Sequence, residues 1–378
     1  MGRRLYRPQW LSQNQTVFRK NRAFPLFAPG ALKPFDIIFL STSTFAKGLN
    51  LMPLKVHFLQ APRPELLADL QRQLLPEVQL TTGPNLPGPA DYEILIATRL
   101  TRENLEASPN LRALINPYAG VSEESLALLA GYPHIAVHNS HHPAASTAEM
   151  AVALLMAATR VLVPADRNLR RGDWTLRDKT DQSLVLDGKT ALILGFGHIG
   201  QRVARVCQAL GMTVVATRVN VKAPVPPDLS VELHPAADLH SLLPRANVVV
   251  VALPLTPQTC DLIGAAELAL LPRGAVLVNI GRGPIVNEAA LYNALRDGTL
   301  RGAGIDVWYN YPANATERLH TFPSQYPFQE LDNVVMSPHR GGMDEQSEQL
   351  GMTQIAAMLN AAARGEPMPN RVDVKSGY

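Results

Sequence analysis

The sequence predicts an α/β protein in two domains, one of them a doubly wound parallel sheet. Two observations carry this. Apolar runs of strand length alternate with helical segments along most of the chain. A glycine fingerprint, Gly195-Phe196-Gly197-His198-Ile199-Gly200, directly follows one such run and opens an amphipathic helix. Unbroken apolar runs suit strands covered on both faces. Their alternation with helices makes the sheet mostly parallel.

Residues 1–51 show no sustained period. They hold eight Lys or Arg against one acid, Asp36, a balance of +7; with the whole chain at +3, the remainder stands at −4. The segment predicts a disordered extension, whether unstructured upstream sequence, a targeting presequence or a functional arm. From residue 52 to 145 strands are expected at 55–59, 92–98, 111–116 and 135–139, with helices at 64–75 and 122–130. Residues 147–160 are apolar and strongly helix-forming, which predicts a helix crossing between domains.

The second domain, 146–341, has strand-like runs at 190–194, 212–216, 247–253, 275–280, 304–307 and 333–337. Helices are expected at 201–210, with Val203, Val206, Cys207 and Leu210 on one face, and at 287–296, with Asn287 as cap and Gly298 beyond its end. The tail, 342–378, is helical by pattern over 344–363, with Leu350, Ile355, Met358 and Leu359 as its apolar positions, and is expected to rejoin the first domain. The predicted architecture is a Rossmann-type doubly wound sheet inserted in a smaller, flavodoxin-like α/β domain formed by 52–145 and 342–378.

Composition narrows the function classes. With 46% hydrophobic and 18% charged residues the chain is core-forming. Two cysteines, Cys207 and Cys260, make no disulfide framework, so a reducing, cytoplasmic setting is expected. No uncharged apolar stretch reaches the length of a membrane span. No basic stripe suits a nucleic acid.

The fingerprint has a physical reading. Gly195 permits a tight turn, Gly197 lets backbone approach a pyrophosphate, and Gly200 allows close packing of helix on strand. His198 and Ile199 begin the helix, whose free N–H groups favour an anion. Dinucleotides that carry a 2′-phosphate are told apart at the end of the next strand. There the chain reads Val215-Ala216-Thr217-Arg218-Val219-Asn220-Val221-Lys222, with no acid to accept ribose hydroxyls. Arg218 and Lys222 can pair with a phosphate and Thr217 can donate to it, so NADP is expected over NAD. The alternative is that Arg218 stacks on adenine and tolerates both.

Further motifs follow in order: Leu186-Asp187-Gly188-Lys189-Thr190, Leu253-Pro254-Leu255-Thr256-Pro257-Gln258-Thr259, Asn279-Ile280-Gly281-Arg282-Gly283, Gly304-Ile305-Asp306-Val307-Trp308 and Ser337-Pro338-His339. On these the chain, from about residue 54 to 365, resembles the D-2-hydroxyacid dehydrogenases, which include glyoxylate/hydroxypyruvate reductases and, more distantly, formate and phosphite dehydrogenases. The resemblance implies that Arg282 pairs with a substrate carboxylate and polarises its keto oxygen, and that His339 exchanges a proton with the product hydroxyl. It implies Asp306 near the nicotinamide amide, Pro254 and Ile280 against the ring, and Thr259 in the cofactor cleft. It also implies that backbone N–H groups of Tyr118-Ala119-Gly120-Val121 hold the carboxylate's other side, and that the protein is a homodimer. The residues make sense alone, too. Each stands where a strand ends, and a buried arginine without an acid needs an anionic ligand.

One position departs from the pattern. Family members usually carry a glutamate that bonds the histidine, just before a proline; here Asp306-Val307-Trp308-Tyr309-Asn310-Tyr311-Pro312 puts Tyr311 there. Its hydroxyl could orient His339 but adds no charge, so His339 is expected to titrate near its ordinary value. Glu317 or Glu330 could substitute, catalysis could be slower, or the protein could sense nucleotide without turnover. The cluster His138-Asn139-Ser140-His141-His142 has no second ligand group at metal spacing, and no metal is expected. The expected activity is reduction of a short 2-keto acid such as glyoxylate or hydroxypyruvate. A nucleotide-binding regulator and an oxidoreductase for phosphite-like or formate-like acids are the alternatives.

Overall fold

The first sheet takes five parallel strands from the start of the described chain and a sixth from near its end. The structure, a computed structural model, describes residues 53–375 and 377; the expectation for 1–51 lies outside them. The parallel strands are β1 (Leu54–Phe58), β2 (Val78–Thr82), β3 (Ile94–Ile96), β4 (Ala113–Asn116) and β5 (Ala136–Asn139). They lie in the order β5-β4-β3-β1-β2, and Arg371–Val372 runs antiparallel along the outer edge of β5.

The second sheet has seven strands, all parallel: β6 (Thr190–Leu194), β7 (Thr213–Thr217), β8 (Glu232–His234), β9 (Val248–Val251), β10 (Ala275–Asn279), β11 (Leu300–Ile305) and β12 (Val334–Met336). Their order is β12-β11-β10-β9-β6-β7-β8. Strand order therefore reverses between β6 and β9, and a doubly wound sheet opens a crevice beyond the strand ends at that point.

Alternate side chains show why the apolar runs are continuous. Along β6, Leu192 and Leu194 enter the core on one face of the sheet while Ala191 and Ile193 enter the core on the other. In the first sheet, Ile94 and Ile96 of β3 face one core and Leu95 the other. Both sheets are thus covered twice, as their patterns require.

The helices fall close to their expected places. The connecting helix is Ala144–Thr159, whose buried Leu154 lies against β11 so closely that a Cβ on Gly304 would be 2.6 Å from the Leu154 Cβ. Beyond its cap Arg160, Val161 adopts φ +54°, and Leu162–Leu169 continues at a 65° bend. No single helix among the described residues is long and apolar enough to cross a membrane. The helix Glu345–Ala363 packs on Pro64–Gln73 and sends Ile355, Met358 and Leu359 into the first sheet's core. Leu350, expected with them, is instead 51% exposed.

Some elements escape sequence reading. β2 is an edge strand with mostly exposed side chains, so it lacks an apolar run. The Arg371–Val372 strand is too short to show any period. It is held by long-range bonds: Pro369 O accepts from His138 Nδ1 at 2.7 Å, and Asn370 Nδ2 donates to Asn139 O at 3.2 Å.

Candidate active site

The C-terminal ends of β10, β11 and β12 meet the loop after β4 around a cleft of about 870 Å³, which Gly120, Ile280, Arg282, Asp306, Tyr311 and His339 help to line. A neighbouring cavity of about 240 Å³ shares Gly120, Ile280 and Arg282 with it and extends to His141, His198 and Pro254. Side chains expected to act on substrate and cofactor are therefore brought together from both sheets.

Arg282 follows β10 on a turn braced by Asn279. The Asn279 Oδ1 accepts the Gly281 N–H at 3.1 Å, and its Nδ2 donates to Arg282 O at 3.0 Å. Gly281 cannot be replaced cheaply, since a Cβ there would lie 2.6 Å from Leu253 O. The guanidinium donates to Gly281 O at 2.7 Å and has no carboxylate partner among the described residues. Burial lowers its pKa, with Tyr311 opposing. A desolvated cation without a counter-charge is stabilised by any anion that reaches it.

The loop after β4 faces this cation. Asn116 Nδ2 donates to the carbonyls of Tyr118 (2.7 Å) and Gly120 (2.9 Å), and Asn139 Nδ2 donates to Ala119 O at 2.7 Å. The carbonyls are thereby drawn inward. The N–H groups of Ala119, Gly120 and Val121 make no hydrogen bond with the described residues. Gly120 packs so tightly on Arg282 that an added Cβ would lie 2.1 Å from Nη2. Tyr118, half exposed, lies at the mouth of the cleft.

His339 sits on the loop after β12 with φ +54°, a conformation that side chains other than glycine adopt only when their surroundings enforce it. Asp306 supplies the enforcement. Its Oδ1 accepts the Ser337 hydroxyl at 2.5 Å and the Arg340 N–H at 3.0 Å, and its Oδ2 accepts the Gly341 N–H at 2.9 Å. The Trp308 indole adds a bond to Ser337 O at 2.8 Å. Both oxygens of Asp306 are thus engaged by the loop on either side of the histidine.

Tyr311 does not orient His339 by a hydrogen bond. Its hydroxyl accepts the Trp308 N–H at 2.9 Å, while its ring packs on the imidazole at 5.5 Å between centroids. Glu317 is spent on its own turn, accepting from Ala313 N and Asn314 Nδ2, and neither it nor Glu330 contacts His339. The expectation of an ordinary pKa for His339 is corrected accordingly. Burial lowers it, the Arg282 charge lowers it further, and Asp306 only partly offsets them.

The fingerprint lies beside this cleft. Gly195 has φ +99°, and a Cβ on it would lie 2.6 Å from Ala252 O; one on Gly200 would lie 2.1 Å from Gly195 O. Gly197 precedes the helix His198–Ala209, whose first turn has no side-chain cap. The carbonyl of Thr217, at the end of β7, accepts the N–H groups of Gly195 (3.2 Å) and Phe196 (3.0 Å), fixing the turn to that strand end. Thr217 itself is buried. Next to it, Arg218 Nη1 is buried without a hydrogen-bond partner. An orphaned guanidinium nitrogen beside a dinucleotide fingerprint, with no paired acid, fits a 2′-phosphate.

Thr259 serves the loop instead of the cleft: it donates to Pro254 O at 2.7 Å and accepts from Thr256 N at 2.8 Å. The three clustered histidines diverge, His138 to Pro369, His142 to Ser140 and His141 to His198. Among the described residues no three possible metal ligands converge. Burial raises the Cys207 thiol to about 11, which leaves it unreactive in the core. Sequence reading missed Asn116, Asn139, Asn279 and Ser337 as braces. A polar residue ending an otherwise apolar strand, as Asn116 and Asn279 do, is the signal that could have found two of them.

The chain is similar to known proteins in sequence and fold. Residues 152–341 match the model of the D-isomer specific 2-hydroxyacid dehydrogenase NAD binding domain. A D-3-phosphoglycerate dehydrogenase of Methanocaldococcus jannaschii is 30% identical over 79% of this chain, which spans 56% of that relative's length. A glyoxylate reductase of Korarchaeum cryptofilum is 33% identical over 74% of this chain and 81% of its own. Among solved structures, a D-isomer specific 2-hydroxyacid dehydrogenase from Xanthobacter autotrophicus, in complex with NADPH and MES, superposes with a TM-score of 0.70 at 26% identity, over 85% of this chain and all of that one. On this sequence and fold evidence, the chain belongs to the D-isomer-specific 2-hydroxyacid dehydrogenase family.

Proposed function

We propose that this protein reduces a short 2-keto acid, of the glyoxylate or hydroxypyruvate kind, to the D-2-hydroxy acid, with NADPH preferred over NADH. The observation that carries the reading is Arg282: a half-buried cation with no carboxylate partner, packed against Gly120 in the cleft that also holds His339.

The residues divide the work. The fork of Arg282 and the N–H groups of residues 119–121 receive the substrate carboxylate from two sides, which fixes the keto carbon and leaves its oxygen toward His339. Arg282 also stabilises negative charge on that oxygen as the carbonyl bond opens. NADPH, when bound, supplies the hydride that attacks the keto carbon. The carbonyl electron pair moves to oxygen, and His339, as imidazolium, delivers the proton that completes the hydroxyl. The Gly195–Gly200 turn would hold the diphosphate, Ile280 and Pro254 would wall the nicotinamide, and Arg218 would take the 2′-phosphate. Asp306 acts by holding the His339 loop.

We assign residues 52–145 with 342–378 to the substrate domain and 146–341 to the cofactor domain. A homodimer is supported by exposed apolar side chains after the connecting helix, namely Leu162, Leu169 and Trp174. One alternative substrate has a specific observation behind it. With no carboxylate hydrogen-bonded to His339 among the described residues, an acid such as phosphite or formate would be oxidised without any alkoxide to protonate.

Nicotinamide absorbance decides between these. Turnover of glyoxylate or hydroxypyruvate with NADPH, lost in Arg282→Ala, is the expected result. Cofactor binding without turnover of any keto acid would overturn it, and oxidation of phosphite or formate with NADP⁺ would establish the alternative.

A further inference from the structure

His141 follows a strand of the first sheet, His198 follows a strand of the second, and their rings touch. His141 stands on the loop after β5, and His198 is the first residue of the fingerprint helix; their rings lie 4.9 Å apart at 35°. Both line the cavity that runs from the fingerprint turn to Arg282. Neither ring has a hydrogen-bond partner among the described residues, so the imidazole N–H groups are unspent. The backbone of His141 is held in place, its N–H donating to Gln354 Oε1 at 3.2 Å.

We propose that His141 is a cofactor-binding residue supplied by the first sheet, forming with His198 a two-imidazole clamp on the dinucleotide diphosphate. The inference rests on the cofactor reading above. The helix end offers backbone N–H groups but no formal charge at this point, and a diphosphate bridge carries negative charge with many acceptor oxygens. Two imidazoles at that end supply both donors and, once protonated, charge. The clamp also joins the sheets, because one ligand must engage a residue from each.

The surroundings make the clamp sensitive to pH. His141 is held below its ordinary pKa by burial first, then by His198 and His142. The other charged groups facing the cavity are Glu123, at the start of the helix after the Gly120 loop, and Arg282. Asp344, which caps the C-terminal helix, and Glu348 within it act on the neighbouring His142. A bound diphosphate reverses the balance and favours the imidazolium. Binding therefore takes up a proton at His141, and affinity rises as pH falls through the interval between its free and bound pKa values.

The test is NADPH binding to the intact protein, followed by nicotinamide fluorescence between pH 5.5 and 8, without substrate. The expected result is tighter binding at the acid end. His141→Gln should bind NADPH roughly tenfold more weakly there, as expected for one charge-assisted hydrogen bond, and show a flatter pH profile. His141→Phe keeps an aromatic ring against His198 and should lose the same amount, which separates charge from packing. Adenosine 2′-monophosphate, which lacks the diphosphate, should bind all three proteins alike. Equal NADPH affinities and equal pH profiles in wild type and both variants overturn the clamp while leaving the cofactor reading intact. Failure of the wild type to bind either NADPH or NADH overturns the cofactor reading itself.

Discussion

Tyr311 sets its ring against the imidazole of His339, 5.5 Å between centroids and tilted by 56°, while its hydroxyl accepts the Trp308 N–H. The contact shields the histidine without charging it. An anion at this position would pull the imidazole pKa up; a tyrosine there helps bury it. Together with Arg282 it leaves His339 below the ordinary value of 6.5.

A pH dependence follows, and its sign is definite. The proposed reduction needs His339 protonated, and a lowered pKa means the proton is lost at lower pH. The kcat/KM for keto-acid reduction should fall as pH rises, with a midpoint below 6.5. Tyr311→Glu should move the midpoint upward. A midpoint unchanged by that substitution would show that position 311 does not control the histidine.

Gly120 and Arg282 test the anion site from both sides. Arg282→Ala should lower kcat/KM by about 10²–10³ while NADPH still binds. Gly120→Ala forces a Cβ to within 2.1 Å of where Nη2 lies, so the guanidinium must move. A loss of roughly ten- to hundredfold, in protein of unchanged thermal stability, is expected from that misplacement. Wild-type kinetics in Gly120→Ala would refute the packing argument.

On the proposed NADPH preference, Arg218→Ala should weaken NADPH roughly ten- to hundredfold and leave NADH almost untouched, because the orphaned Nη1 would pair with the 2′-phosphate. Titration of both cofactors decides this. A parallel loss of both would make Arg218 an adenine platform.

Asp306→Asn retains the shape and removes the charge that three donors share. One amide N–H₂ must then face a donor. The variant should be less stable by about 1–3 kcal/mol, measured by denaturant melts, and should lose activity through the displaced His339 loop. A variant as stable as wild type would mean the loop has other support.

Much of this was legible beforehand, for a physical reason. β6, β9 and β10 are buried on both faces, so burial wrote them as unbroken apolar runs, and the glycines at 195, 200 and 281 stand where backbone meets backbone. Arg282 could be found because it follows such a run, and His339 because it follows the apolar residues of the edge strand β12. What stayed hidden depends on contact between distant segments. Nothing near Tyr311 says that its hydroxyl turns to Trp308, nothing near His141 points to His198, and Thr259 gives no local sign that its hydroxyl is spent on Pro254. Exposed β2 and the two-residue strand at 371 lack the burial that writes a pattern.

That last strand has a consequence for biosynthesis. Every partner of β6–β12 lies between residues 190 and 336, so the seven-stranded sheet has all its strands once the ribosome has released that stretch. The six-stranded sheet begins earlier and finishes later, because the edge of β5 waits for Arg371–Val372 and its core waits for Ile355 and Leu359. The part made first is thus the last to be sealed. During translation it is the first sheet, with β5 uncovered, that most needs protection from the wrong neighbour.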